Sequence, residues 1–354
     1  MNKPTLSVLM PNYNHSKYIG EAIEAILNQS YRPIEVIIID DASTDNSIEI
    51  IKQFIKKHPI LRLITNDRNM GANHNLNKLL ELAKGDYVHF AAADDKILPG
   101  FYEKSMNLLS RYPQAGLCST LSLIIDEENR NKGLHPSFII SKEECFITPE
   151  KSRSILEKVG LWVMGNATIL RRNALVDSGG FIPELHSFTD GFIYQVIALK
   201  YGACFIPEPL ACWRRMDSGY ALSIGANPDV MKEVTRHAVH LMQTTYSDLF
   251  SKEYIDDFKR TQFFLMNLNQ FCSAQKKKAD FIRNDSEQRG VLKSVFLFIS
   301  KLRQKFEKTT YILYLFVRFK PRIFPIVVRK SNRFFHPSIF YSSRKIRKGK
   351  KGTG

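Results

Sequence analysis

The first 125 residues alternate between two hydrophobic periods. Short apolar runs at 6–10, 36–39, 61–64 and 87–91 have the Val- and Ile-rich character of strands buried on both faces. Between them, apolar residues recur every three to four positions over 16–29, 45–57, 72–83 and 99–111, which predicts four amphipathic helices. Asp45, ahead of Ile48, Ile50 and Ile51, suits an N-cap, and Pro99 suits a first helical turn, where its missing donor costs nothing. Alternation at this spacing predicts an α/β fold with a parallel, doubly wound sheet and right-handed crossovers.

The pattern weakens downstream. Residues 116–125 predict a fifth strand, whereas 126–148 are charged, contain Gly133 and Pro136, and show no period, as expected of an insertion or lid. Residues 149–215 mix helix and strand around Gly179-Gly180-Phe181, and 229–275 predict two amphipathic helices. There is no internal repeat. A chain of 354 residues with 44% hydrophobic content has room for a large catalytic domain and an appendage, and excludes wholesale disorder.

In an open parallel sheet, ligands bind outside the carboxyl ends of the strands. Here those ends carry Pro11-Asn12-Tyr13-Asn14, Asp40-Asp41-Ala42-Ser43, the segment Asn66 to Gly71, and Asp94-Asp95. Two adjacent carboxylates behind a buried strand are costly to hold without a counter-charge. Mg²⁺ or Mn²⁺ is a natural one, bound through one or two carboxylates and completed by substrate phosphate oxygens. A nucleoside diphosphate fits such a crevice. The alternative is that either pair only caps the helix behind it.

The motifs Ser7 to Asn14, Glu35 to Ser47 (EVIIIDDASTDNS), and Gly85-Asp86-Tyr87 leading into Asp94-Asp95 occur in the order of, and resemble, glycosyltransferase family 2 over about residues 5–220. The resemblance implies the GT-A fold, with a catalytic domain over 1–225. Its nucleotide-sugar half spans about 1–125 and its acceptor half about 126–225. By the same resemblance, Pro11, Tyr13, Asn14, Asp40, Asp41, Ser43, Asn69 and Gly71 surround the nucleotide. Asp94 and Asp95 match the end of the family's metal-binding Asp-x-Asp motif, although Ala92 stands where its first aspartate is expected. Asp190, after Gly179-Gly180-Phe181, takes the place of the catalytic base, with Thr189 replacing the usual Glu. Trp213, Arg214 and Arg215 resemble the strand and loop that close the site on the diphosphate and acceptor side, with Met216 where a histidine is common.

These correspondences imply an inverting glycosyltransferase that moves a sugar from a nucleotide-diphosphate donor, expected to be UDP-linked, to a saccharide or lipid-linked hydroxyl. Ala92 and Met216 favour the other reading, a non-catalytic nucleotide-sugar-binding scaffold. One of Trp162 and Trp213, the two tryptophans, is expected in the core, and His15, His74 and His89 are expected to be structural.

Charge divides the chain. Residues 276–354 hold 22 Lys and Arg against 4 Asp and Glu, a net of +18, whereas residues 1–275 sum to −2. Nine of the 24 phenylalanines fall within 291–341, among the bases. Bases interleaved with aromatics suit amphipathic segments on an anionic membrane surface, and no nucleic-acid-binding signature accompanies them. The expected organisation is therefore the catalytic domain, a helical extension at 226–275 and a basic, membrane-associating tail at 276–354. Five scattered cysteines without a CxxC pair, no N-terminal signal pattern and no spanning apolar run suggest a cytoplasmic protein, peripheral on the inner face of the cell membrane.

Overall fold

The computed structural model describes residues 3–136, 139–216, 219, 224–225, 227–263 and 266. The first half alternates strand and helix: β1 (Leu6–Asn12), α1 (Ile19–Leu27), β2 (Glu35–Asp40), α2 (Ser47–Ile55), β3 (Leu61–Thr65), α3 (Ala72–Leu82), β4 (Tyr87–Phe90), the short β5 (Lys96–Ile97) and α4 (Phe101–Arg111). Then follow β6 (Leu117–Ile125), β7 (Asn131–His135), β8 (Cys145–Ile147), α5 (Pro149–Val159), β9 (Thr168–Arg171), α6 (Arg172–Val176), α7 (Thr189–Tyr201), β10 (Ala203–Arg214) and α8 (Pro228–Gln243). Residues 252–263 are helical.

The described strands form one sheet in the order β3-β2-β1-β4-β9-β6-β10-β5, with β7 on β6 and β8 on β10. Strands β3, β2, β1 and β4 are parallel, as are β6 and β10, but β9 runs antiparallel between β4 and β6. Alternate residues on each strand enter opposite cores. Leu9, Ile37 and Ile39 pack with α3, α7 and α8, whereas Val8, Met10, Val36 and Ile38 pack with α1 and α4. This two-sided burial explains why the strands are apolar throughout.

Several local expectations change. The 126–148 segment is not a patternless insertion, since β7 and β8 both extend the sheet. Pro99 lies outside its helix, where Gly100 at φ +87° occupies the N-cap position of α4. Asn46, not Asp45, occupies the N-cap position of α2, and Asp45 lies one residue earlier, accepting from Ser47 N at 3.0 Å and from Ser47 Oγ at 2.5 Å. The amphipathic pattern expected over 229–275 appears as α8 and the 252–263 helix. The basic tail at 276–354 lies outside the described residues. Among the described residues, no helix is long and apolar enough to cross a membrane, and Cys118, Cys145, Cys204 and Cys212 are free thiols.

Candidate active site

The carboxyl ends of β1, β2 and β3 are laced together by their own polar side chains. Asn12 Nδ2 donates to Asp40 Oδ2 at 2.7 Å, and Ser43 N donates to Asp40 Oδ1 at 2.8 Å. Ser43 Oγ accepts from Asn14 N, while Asn14 Oδ1 accepts from Thr44 N at 2.8 Å, with Asn14 in the left-handed region at φ +56°. Asp40 is fully buried and both its oxygens are engaged, so its role is to fasten strand ends rather than to touch a ligand. That corrects its expected place among the nucleotide contacts. Tyr13 stands 44% exposed beside this lattice, free to cover a flat ring.

Asp41 faces the loop after β3. Its carboxylate accepts from Asn66 Nδ2 and Met70 N at 2.8 Å and from Gly71 N at 2.9 Å. Burial pushes this carboxyl up, but the hydrogen bonds outweigh it and hold the group below the usual carboxylate range. Gly71 sits at φ +89°, a conformation a side chain would strain, and its N–H also meets Asn69 Oδ1 at 3.1 Å. Both carboxylates of the first acidic pair are thus engaged by hydrogen bonds from the protein.

The second acidic pair opens on a cavity of about 670 Å³, walled by Pro11, Asp94, Asp95, Asp190, Trp213 and Arg215 among others. This hollow brings together the end of β1, the loop after β4, the start of α7 and the end of β10. The other expected nucleotide residues, Tyr13 to Ser43 and Asn69 to Gly71, lie beyond its lining, and Ala72 and Asn73 connect the Gly71 loop to it.

Within the pair, Asp94 is half-buried at the cavity wall while Asp95 turns inward, accepting from Arg214 N at 2.7 Å. Burial, reinforced by the neighbouring Asp94, raises the Asp95 carboxyl well above its ordinary range. Such a pair suits a divalent cation held by Asp94, with phosphate oxygens and water completing the shell. It does not suit an all-protein cage, because among the described residues no three acidic, His or Cys side chains converge.

Arg214 does not have the role its sequence position suggested. Its side chain is 1% exposed, and its five N–H groups go to Asp94 O, Asp126 O, Glu127 O, Glu21 Oε2 and Asn129 Oδ1 at 2.8–3.4 Å. The guanidinium also lies over the Tyr18 ring at 4.3 Å. No donor remains for a diphosphate, so Arg214 is a strut, and the exposed Arg215 is the arginine available to a ligand. Trp162 is the core tryptophan at 1% exposure, and Trp213 lines the cavity against His135 at 5.2 Å between rings.

Asp190 opens α7, where the helix N-terminus favours a carboxylate. Gly191 N donates to its Oδ1 at 2.7 Å. Burial raises the carboxyl and that hydrogen bond partly offsets it, which is the balance a general base needs. Thr189, in place of the usual Glu, accepts from Ile182 N at 2.7 Å and ties the preceding 3-10 turn (Pro183–Phe188) to the helix.

Sequence reasoning passed over two groups that hold this geometry. On α3, Asn77 clasps the Phe181 backbone from both sides, at 2.8 and 2.9 Å. Asn73, expected where the Gly71 loop enters the helix, donates to Pro183 O and His186 O. Asparagines at i and i+4 on one helix face were a visible signal. Near the cavity floor, the 3-10 turn Gly165–Ala167 gave no pattern at all. His89 is structural, as expected. It is buried between Tyr102 Oη (2.9 Å) and Asn166 O (3.3 Å), and burial lowers its pKa to about 4, so it is neutral.

Residues 7–175 match the family model described as Glycosyl transferase family 2. An uncharacterized glycosyltransferase of Haemophilus influenzae is 44% identical over 109 residues, which is 31% of this chain and 44% of that protein. A putative teichuronic acid biosynthesis glycosyltransferase of Bacillus subtilis, TuaG, is 37% identical over 107 residues, 30% of this chain and 42% of TuaG. The matched stretches thus span less than half the length of both relatives. Among solved structures, the mannosyltransferase PcManGT of Pyrobaculum calidifontis, in complex with GDP-Man and Mn²⁺, superposes with a TM-score of 0.52 at 19% identity, covering 90% of this chain and 86% of that one. The strand order, the acidic strand ends and these matches agree: the chain has the GT-A fold, and residues 7–175 are similar to glycosyl transferase family 2.

Proposed function

We propose that the protein transfers a hexose, with inversion, from a UDP-linked donor to a hydroxyl of a saccharide or lipid-linked acceptor. The observation that carries this reading is the shared cavity. Asp94 on one wall and Asp190 on another face the same hollow, whose size suits a sugar and its diphosphate. Pro11 and Tyr13 flank the nucleoside, with Asn14, Asp41, Ser43, Asn69 and Gly71 shaping its pocket. Asp94, backed by Asp95, would hold Mg²⁺ or Mn²⁺, which when bound would supply positive charge to the leaving diphosphate. A neighbour in fold carries Mn²⁺ with GDP-Man, which supports a cation here.

In the reaction, the Asp190 carboxylate accepts the acceptor's hydroxyl proton as that oxygen attacks the anomeric carbon. The new C–O bond forms on the face opposite the diphosphate. The old C–O bond breaks with its electron pair leaving on the nucleotide, so the anomeric configuration inverts. Arg215 lies at the lip to meet growing negative charge, and the Trp213 face suits the apolar side of a sugar ring. Nucleotide release by the full chain, compared with Asp190→Asn, tests the scheme.

The basic, phenylalanine-rich tail supports a peripheral location on the cytoplasmic face of a membrane, next to a lipid-linked acceptor. Similarity to TuaG, a putative teichuronic acid biosynthesis glycosyltransferase, favours an envelope polysaccharide as product. Flotation with anionic liposomes should carry the full chain and lose a chain ending at Gln275; equal flotation of the two would contradict the membrane role.

A further inference from the structure

We infer that the Gly165–Asn166 turn is a positioning element that fixes the catalytic carboxylate of Asp190 relative to the acidic pair across the cavity. The inference rests on the reading of Asp190 as base. A Cβ built on Gly165 would lie 2.3 Å from Asp190 Oδ2, well inside van der Waals contact, so the carboxylate rests directly on the bare Gly165 backbone. Its other oxygen is fixed by Gly191 N at 2.7 Å. The carboxylate is thus held between a helix N–H and a glycine floor, and both Gly165 and Asp190 line the cavity.

The floor itself is braced. The next residue, Asn166, gives its carbonyl to buried His89 Nε2 at 3.3 Å and its amide to Ser122 Oγ at 3.3 Å, and the same amide steadies the Asp95 carboxyl. A carbonyl can only accept, so His89 carries its proton on Nε2, and Nδ1 accepts from Tyr102 Oη at 2.9 Å. One two-residue turn therefore touches the base on one side and the acidic pair on the other.

An added methyl at 165 meets the mobile end of a side chain, not backbone. The cheap response is rotation of Asp190 away from the floor with the fold intact, so the substitution separates positioning from stability. The probe is nucleotide release from UDP-glucose, UDP-galactose and UDP-N-acetylglucosamine with Mn²⁺, water serving as acceptor. Gly165→Ala should lower kcat on the order of 10²-fold, as small misplacements do, with donor KM and Tm close to wild type. In an Asp190→Asn background the same change should cost nothing further, since coupled residues are not additive. If Gly165→Ala folds poorly, an Asp190→Gly background, which has no carboxylate to displace, should restore its Tm.

Wild-type kcat in Gly165→Ala, an equal fractional loss in the Asp190→Asn background, or a Tm loss that persists with Asp190→Gly would overturn the inference. Wild-type turnover by Asp190→Asn alone would instead remove the base assignment beneath it.

Discussion

Asp190 lies under opposed influences: burial disfavours its charge, while the start of α7 and the Gly191 N–H favour it. The net effect is a raised pKa, so the fold holds the protonated form more tightly. The stability this group contributes is complete below the unfolded value of about 3.9 and is lost as pH rises through the folded value. Asp190→Asn removes that loss. The variant should resist urea better than wild type at pH 8, with the difference shrinking toward pH 4; a constant difference across that range would contradict the assignment. Asp190 was legible because it follows a glycine pair and sits among recognisable motifs. Gly165 was not, because its significance is an interatomic distance to a residue 25 positions away. Asp40 and Arg214 show the converse error. Both have the chemistry of a ligand contact, but the fold has already filled their hydrogen-bonding capacity.

Among the elements, β10 sets the rim of the site through a single side chain. Arg214 joins it to the loop after β4, to the 126–129 turn and to α1. Arg214→Ala would strand several partly buried acceptors and should cost on the order of 3 kcal/mol in urea unfolding; a cost under about 1 kcal/mol would show that the rim holds without the strut. Strands β1 to β4 and helices α1 to α4 were read from the sequence within a few residues, because β1, β2 and β4 are buried on both faces, the edge strand β3 keeps an apolar run, and each helix buries one face. α7 was not delimited. Phe192 through Leu199 are all buried, so it shows no polar stripe for a helical period to mark. β7 and β8 escaped because they are short strands recruited by pairing to β6 and β10, with polar, exposed residues at Asn131 and Lys132. Long-range pairing, not local pattern, makes them strands.

At the scale of the molecule, a near-neutral body gathers acids from distant parts of the chain around one hollow, and the strongly basic remainder follows it. The family match ends at 175, so Asp190, the Trp213 wall and Arg215 all come from the stretch beyond it. Contacts join that stretch to the matched region: Phe181 meets Phe90 edge-on at 4.7 Å between rings, and Asn77 bonds both backbone groups of Phe181 at 2.8 and 2.9 Å. The domain therefore continues past the matched region as one packed body, and a chain cut at 175 would lack half of its cavity. The most direct measurement is the rate of UDP release from UDP-hexoses by the full chain with Mn²⁺, wild type against Asp190→Asn. A rate that falls about 10²–10⁴-fold in the variant, with donor binding retained, is the predicted result. No release from any donor, or equal rates from the two proteins, would contradict it.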